Sequence, residues 1–169
     1  PAADPNLVLR VAVAAAEYGL PIAPGTLQNL KKCPIGDRNW TDESRELFIR
    51  LLASGPALLN VWEDIDFIDV PGKLIPEWLG VRNRPSASAA HRYTIDRHMV
   101  EVVTRLGRET PSGGRYDDRH YEALLLAGIL HDIGKRPGVA NHVAEGARHA
   151  TVVVERMGFD RDIVRWVTL

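Results

Sequence analysis

The residues best placed to do chemistry stand in one short run, GILHDIGKRPG at positions 128 to 138. An apolar stretch of leucine and alanine breaks there into an imidazole, His131, and a carboxylate, Asp132, followed by glycine, lysine and proline. Imidazole plus carboxylate is a borderline-to-hard ligand set, suited to Mn²⁺, Fe²⁺, Zn²⁺ or Mg²⁺. Adjacent helical side chains point about 100° apart, so the two share an ion only if it lies off the helix end. A third donor has to come from another element. His98, in TIDRHMVEVV, is the natural one, because it sits in a polar turn where an amphipathic segment begins. Gly134 is expected to let the backbone turn sharply, so that Lys135 folds back toward the same point. Each residue also has a plainer reading. A polar pair at a helix end can simply bond turn amides, Lys135 can complement a helix C-terminus, and His98 can be an exposed position on an amphipathic helix.

The elements that must position these groups read as helices almost throughout. Residues 6 to 18 are rich in alanine and valine, and GLPIAPG ends them with two prolines and two glycines. In TDESRELFIRLLASG, Thr41 is the expected N-cap, Asp42 and Glu43 favour the helix dipole, and Leu47, Phe48, Leu51 and Leu52 form one apolar face. Pro56 opens a further helix with Leu58, Leu59, Trp62 and Ile65 inward, and a short helix is expected around Trp78. NRPSASAA, residues 83 to 90, is the expected boundary segment. After it come a helix from Ile95 to Gly107 with Ile95, Met99, Val102, Val103 and Leu106 on one face, a loop through RETPSGGRYDD, and helices at 120–132, 142–157 and 160–169. Asp96 is expected to cap its helix, and the four tryptophans to be core residues. No run of alternating strand residues and no repeat is present, so the reading is all-α.

Composition narrows the class further. With 45% hydrophobic and 25% charged residues the chain has what a packed core needs and is not of the disordered type. The net charge of -1 gives no general attraction to nucleic acid, although charge is uneven. The first 77 residues are net acidic, whereas 82 to 119 are net basic. Arginines in that stretch form a solvated face that could meet acidic or phosphorylated partners. Cys33 is alone, which excludes a disulfide framework and points to a reducing, cytoplasmic setting. The apolar run near the start, LVLRVAVAAAEYG, is interrupted by Arg10, too short for a membrane span, and unlike a signal peptide. Both ends read as cut from something longer.

The blocks HRYTIDRHMVE at 91–101, LLAGILHDIGK at 125–135 and NHVAEGA at 141–147 resemble the HD phosphohydrolase superfamily. More closely, they are similar to the HD domain of bacterial uridylyltransferase/uridylyl-removing enzymes, which modify the nitrogen-signalling protein PII. There a His-x-Tyr-Thr-Val-Asp-x-His block precedes HDIxK, and Ile95 stands here for the valine. The resemblance covers roughly residues 40 to 169. It implies an HD-like helical bundle at 83–169, preceded by a helical segment, 1–82, that links to a nucleotidyltransferase domain. It implies hydrolysis of the phosphodiester between a nucleotide and a tyrosine of PII, with UMP, or AMP, as the released nucleotide monophosphate. The implied metal, Mn²⁺ foremost, would be held by His98, His131 and Asp132. Lys135 would neutralise charge developing on the phosphate, and His91 and His142 are candidates for a second metal contact or for protonating the leaving phenolate.

Two departures accompany the resemblance. The family follows HDIxK with a Gly-Gly-Asp-His run, whereas this chain has RPGVANH, with Asn141 where the acid would stand. The His-His pair and the last Asp ligand are expected beyond VRWVTL. Two other functions stay open on sequence alone: an HD hydrolase of free nucleotides (dNTPs or guanosine tetraphosphate), and a helical regulatory module that binds without turnover.

Overall fold

The computed structural model describes residues 4–35, 40–85, 93–107 and 117–169. His91 and most of the 83–90 segment and of the loop before Asp117 lie outside them. The described residues form nine α-helices and one 3-10 helix and contain no strand. In order they are α1 (Leu7–Tyr18), α2 (Pro24–Leu30), α3 (Asp42–Leu52), α4 (Ala57–Phe67), α5 (Val70–Leu74), the 3-10 helix Pro76–Gly80, α6 (Ile95–Leu106), α7 (Asp118–Leu130), α8 (His142–Arg156) and α9 (Arg161–Thr168). The all-α expectation holds.

Local chemistry explains most boundaries. Thr41 caps α3 through a reciprocal box, its hydroxyl accepting from the Ser44 amide while the Ser44 hydroxyl accepts from the Thr41 amide. Asp117, Asn141 and Asp160 cap α7, α8 and α9 with side-chain oxygens. Asn141, standing where a family acid was expected, is therefore occupied as a helix cap. Gly19, at φ 63°, closes α1 in the left-handed conformation glycine adopts most readily. Helix α2 is an element the sequence reading missed: Pro24, taken there as a stop, sits at the first helical position, where its fixed φ and missing N–H cost nothing. Asp96 is not a cap either. Thr94 is the N-cap of α6, and the Asp96 carboxylate accepts instead from the Asn83 amide at 2.7 Å, tying Asn83 to the first turn of α6.

Helices α1, α3 and α4 pack together, as do α6, α7, α8 and α9, and the contacts α4–α6 and α3–α7 join the two groups. A single apolar cluster runs through both, from Val8 and Phe48 to Leu125 and Val154. Aromatic rings line its centre: Trp40, Phe48, Trp62 and Trp78 follow one another at centroid spacings of 5.4, 6.5 and 5.3 Å. Trp62 and Trp78 are core residues as expected, whereas Trp40 and Trp166 are only half-buried. The inward face of α6 is rotated from the expected one. Asp96, Val100 and Thr104 are buried beside Ile95, Met99 and Val103, while Val102 and Leu106 are half-buried. The reason is that α6 packs on α4 as well as α7, which widens its buried stripe.

Candidate metal centre

Helix α7 brings Tyr121, Leu125, Leu126 and Ile129 inward and reaches its last residue at Leu130, leaving His131 as C-cap. Gly128 faces α6 closely. A methyl group there would lie 2.7 Å from Leu106 Cδ1 and 3.1 Å from Val103 Cγ2, so a larger residue would make these side chains shift. Through that approach His98, half-buried on α6, meets His131 with ring centroids 5.2 Å apart and nearly perpendicular planes.

The chain then turns tightly, with the Ile133 amide donating to Leu130 and the Lys135 amide to Asp132. Gly134 serves this turn differently from what sequence suggested. It does not use a positive φ; it supplies space, because a side chain there would run into the backbone of His142 and Gly146 in α8. The turn is thus pressed against the first two turns of α8.

The outcome is a convergence. One ligand atom each from His98, His131 and Asp132 lies within 4.8 Å of the others, and this is the group of three metal-type side chains found among the described residues. His131 Nδ1 donates to the Gly128 carbonyl at 2.8 Å, which makes Nε2 the nitrogen that could ligate an ion. Backbone pinning of one imidazole nitrogen is how metal-ligating histidines are commonly oriented. That Nε2 lies 3.5 Å from Asp132 Oδ2, and Lys135 Nζ donates to the same oxygen at 2.8 Å. The Asp132 side chain is 11% exposed and that of His131 34%, so the cluster is anchored inside and open on one side. Two neutral imidazoles and a carboxylate suit a divalent cation in both charge and donor softness, and the three side chains could hold one.

Of the other expected site residues, Lys135 is brought to the cluster through Asp132. His142 is the exposed first residue of α8 and is not part of the three-residue group. His120 is half-exposed and stacks on Trp166 with centroids 4.1 Å apart. His149 is 8% exposed and lies 2.9 Å from Glu145 Oε1. Burial, then the cations Arg136 and Arg148, pushes its pKa below the ordinary histidine value against the pull of Glu145.

Sequence reading missed the polar tie behind this turn. Glu77 of the 3-10 helix is 13% exposed and accepts from both terminal nitrogens of Arg156, at 2.8 and 2.6 Å. Burial pushes its carboxyl pKa up, but the bonds from Arg156 and from its own amide outweigh this and hold it below the usual range. A cavity of about 230 Å³ lies elsewhere, lined by Trp62, Trp78, Asp66 and Asp96 among others and by none of the three cluster residues. The indole N–H groups of Trp62 and Trp78 and Oδ1 of Asp96 are buried there without a hydrogen-bond partner among the described residues.

Comparison with known proteins shows that the chain belongs to the family of bifunctional uridylyltransferase/uridylyl-removing enzymes. It is 39% identical over 163 residues to the bifunctional uridylyltransferase/uridylyl-removing enzyme of Streptomyces coelicolor, covering 95% of this chain and 19% of that protein. The enzymes of the same description from Mycobacterium tuberculosis and Corynebacterium glutamicum are 36% and 33% identical, over 98% and 93% of this chain and 20% and 22% of theirs. The chain therefore spans about a fifth of the length of the relatives it matches. No family model and no solved structure matches it.

Proposed function

We propose that this chain supplies the uridylyl-removing part of such a bifunctional enzyme: an HD-type, metal-dependent phosphodiesterase that releases UMP, or AMP, from a tyrosine of PII. In this reading residues 83–169 are the HD domain and residues 1–82 the helical connection to a nucleotidyltransferase domain. The protein would work in the cytoplasm; among the described residues no helix is long and apolar enough to cross a membrane.

The observation that carries the reading is the convergence of His98, His131 and Asp132 within 4.8 Å, with His131 pinned through Nδ1. A divalent cation held there, Mn²⁺ foremost, supplies Lewis acidity toward a phosphoryl oxygen and an activated water. The protein's own part is to fix the donors and the charge around them. The Gly128 carbonyl holds the His131 ring in one orientation. Lys135, 2.8 Å from Asp132, stands at the rim with a positive charge that can meet phosphate oxygens as negative charge builds on them. His142, exposed at the start of the neighbouring helix, and His91 are the candidates for protonating the phenolate that leaves.

Intact-mass spectrometry of nucleotidylated PII incubated with this protein and Mn²⁺, with and without chelator, tests this. The expected outcome is loss of one nucleotide mass per modified tyrosine, abolished by chelator. The size of the loss identifies uridylyl or adenylyl. Equal loss with chelator present, or after Asp132→Ala, would refute the metal-dependent mechanism.

A further inference from the structure

The turn that carries Asp132 and Lys135 is held from behind by a residue no motif would mark. Arg136 stands where the resembled family continues with glycine. Its guanidinium reaches back across 59 positions of sequence to donate from Nη2 to the Glu77 carbonyl, while Nε donates to the carbonyl of Ile133 within the turn at 3.3 Å. One side chain thus bridges the 3-10 helix Pro76–Gly80 and the metal-type turn. The bridge fits only because position 80 is glycine: a methyl group there would lie 2.5 Å from Arg136 Nε and 2.6 Å from its Cζ. The Glu77 side chain pairs separately with Arg156 of α8, and the bridge uses only the main-chain carbonyl of Glu77.

We propose that Arg136 is a positioning residue for the metal centre, through which the upstream helical segment becomes part of the scaffold that sets the Asp132 and His131 donors. The proposal rests on reading the cluster as a metal centre. Its physical basis is that groups one step removed from the ligands govern how well the ligands are aimed, and their loss typically weakens metal affinity by about 10- to 100-fold. A guanidinium suits the task because its planar fork makes two directed bonds at once. A lysine, with a single ammonium on a flexible stem, can reach the Glu77 carbonyl or the Ile133 carbonyl but holds neither in a fixed plane.

The experiment is Mn²⁺ titration of the whole 169-residue chain by calorimetry, with thermal unfolding of the metal-free protein measured alongside. Arg136→Ala is expected to weaken Mn²⁺ binding about tenfold or more, and Arg136→Lys to recover only part of that loss. Gly80→Ala, which leaves the turn's own sequence intact, is expected to weaken binding in the same direction by displacing the guanidinium. Arg156→Lys serves as the comparison for a purely structural effect, lowering the unfolding temperature while leaving affinity within about twofold. Arg136→Ala and Gly80→Ala proteins that fold and bind Mn²⁺ as the unaltered chain does would overturn this inference and leave the metal centre standing. If the unaltered chain itself takes up no Mn²⁺, the metal-centre reading falls, and this inference with it.

Discussion

Glu77 and Asp132 are buried to nearly the same degree, and each faces a cation, yet the two are built for different ends. Glu77 meets a guanidinium edge-on, both oxygens engaged, 79 residues apart in sequence. Such a planar, two-bond pair fixes geometry and leaves the carboxylate with little else to do. Asp132 meets one ammonium three residues away, through a single oxygen, with Nε2 of His131 3.5 Å from that same oxygen. A lysine so placed, 30% exposed on a flexible stem, can be exchanged for another cation at small cost. The difference separates a carboxylate that holds the fold together from one that, on the proposed function, is held ready for an ion.

Substitution should split the two roles, and the largest effect is expected at Asp132. Asp132→Ala removes a ligand and should weaken Mn²⁺ binding at least about 100-fold, while unfolding stability stays within about 1 kcal/mol because Lys135 can return to water. Calorimetry and a melting curve on the same sample check both halves. Glu77→Ala should do the reverse. It leaves Arg156, only 27% exposed, without its partner, at a cost of about 2–3 kcal/mol, reduced from the fully buried range by that partial exposure. For a chain of this size the unfolding temperature should fall by roughly 5–10 °C, with most of the Mn²⁺ affinity retained. An Asp132→Ala protein that melts as low as Glu77→Ala would erase the distinction.

pH sharpens the contrast next. The Glu77 pKa is depressed in the folded protein, so its contribution is present above the unfolded carboxyl value and is lost as acid protonates it below about pH 4.5. The His149 pKa is also depressed, which for a histidine means burial in the neutral form. Its contribution is complete above the unfolded value near 6.5 and declines as pH falls below that. Stability measured in denaturant between pH 7.5 and 5.5 should therefore decrease toward acid, and His149→Gln should flatten that part of the curve. A profile unchanged by the substitution would place the titration elsewhere. The smallest effect is expected in the cavity: Trp78→Phe removes a buried indole N–H that has no partner among the described residues, and the loss of ring volume and the relief of that donor should offset to within about 1 kcal/mol in urea unfolding.

The sequence made some of this legible and concealed the rest for physical reasons. Caps and periodicity act over three or four residues, so Thr41, α7 and α8 could be read directly, and Pro24 misled only because one residue type serves both as helix breaker and helix opener. The three metal-type side chains were found from donor chemistry plus a requirement for a third ligand. The bonds from Arg136 and Arg156 to Glu77 were not found, because nothing local to any of those residues specifies a partner 59 or 79 positions away. The buried face of α6 was misjudged by part of a turn for the same reason: its second neighbour, α4, belongs to the other half of the chain.

The contact at Gly134 is of a different kind from the packing around it. Side chains in a core yield when a neighbour changes, but here two main chains abut with no side chain between them, and a backbone has no rotamer with which to give way. The separation between the turn and α8 therefore behaves as a mechanical stop whose setting does not drift. Mutations that soften the interior elsewhere should lower the melting point well before they alter the spacing of the donors. The tolerance of the centre is in this sense machined into the backbone, and it can vary in sequence around that stop without losing its gauge.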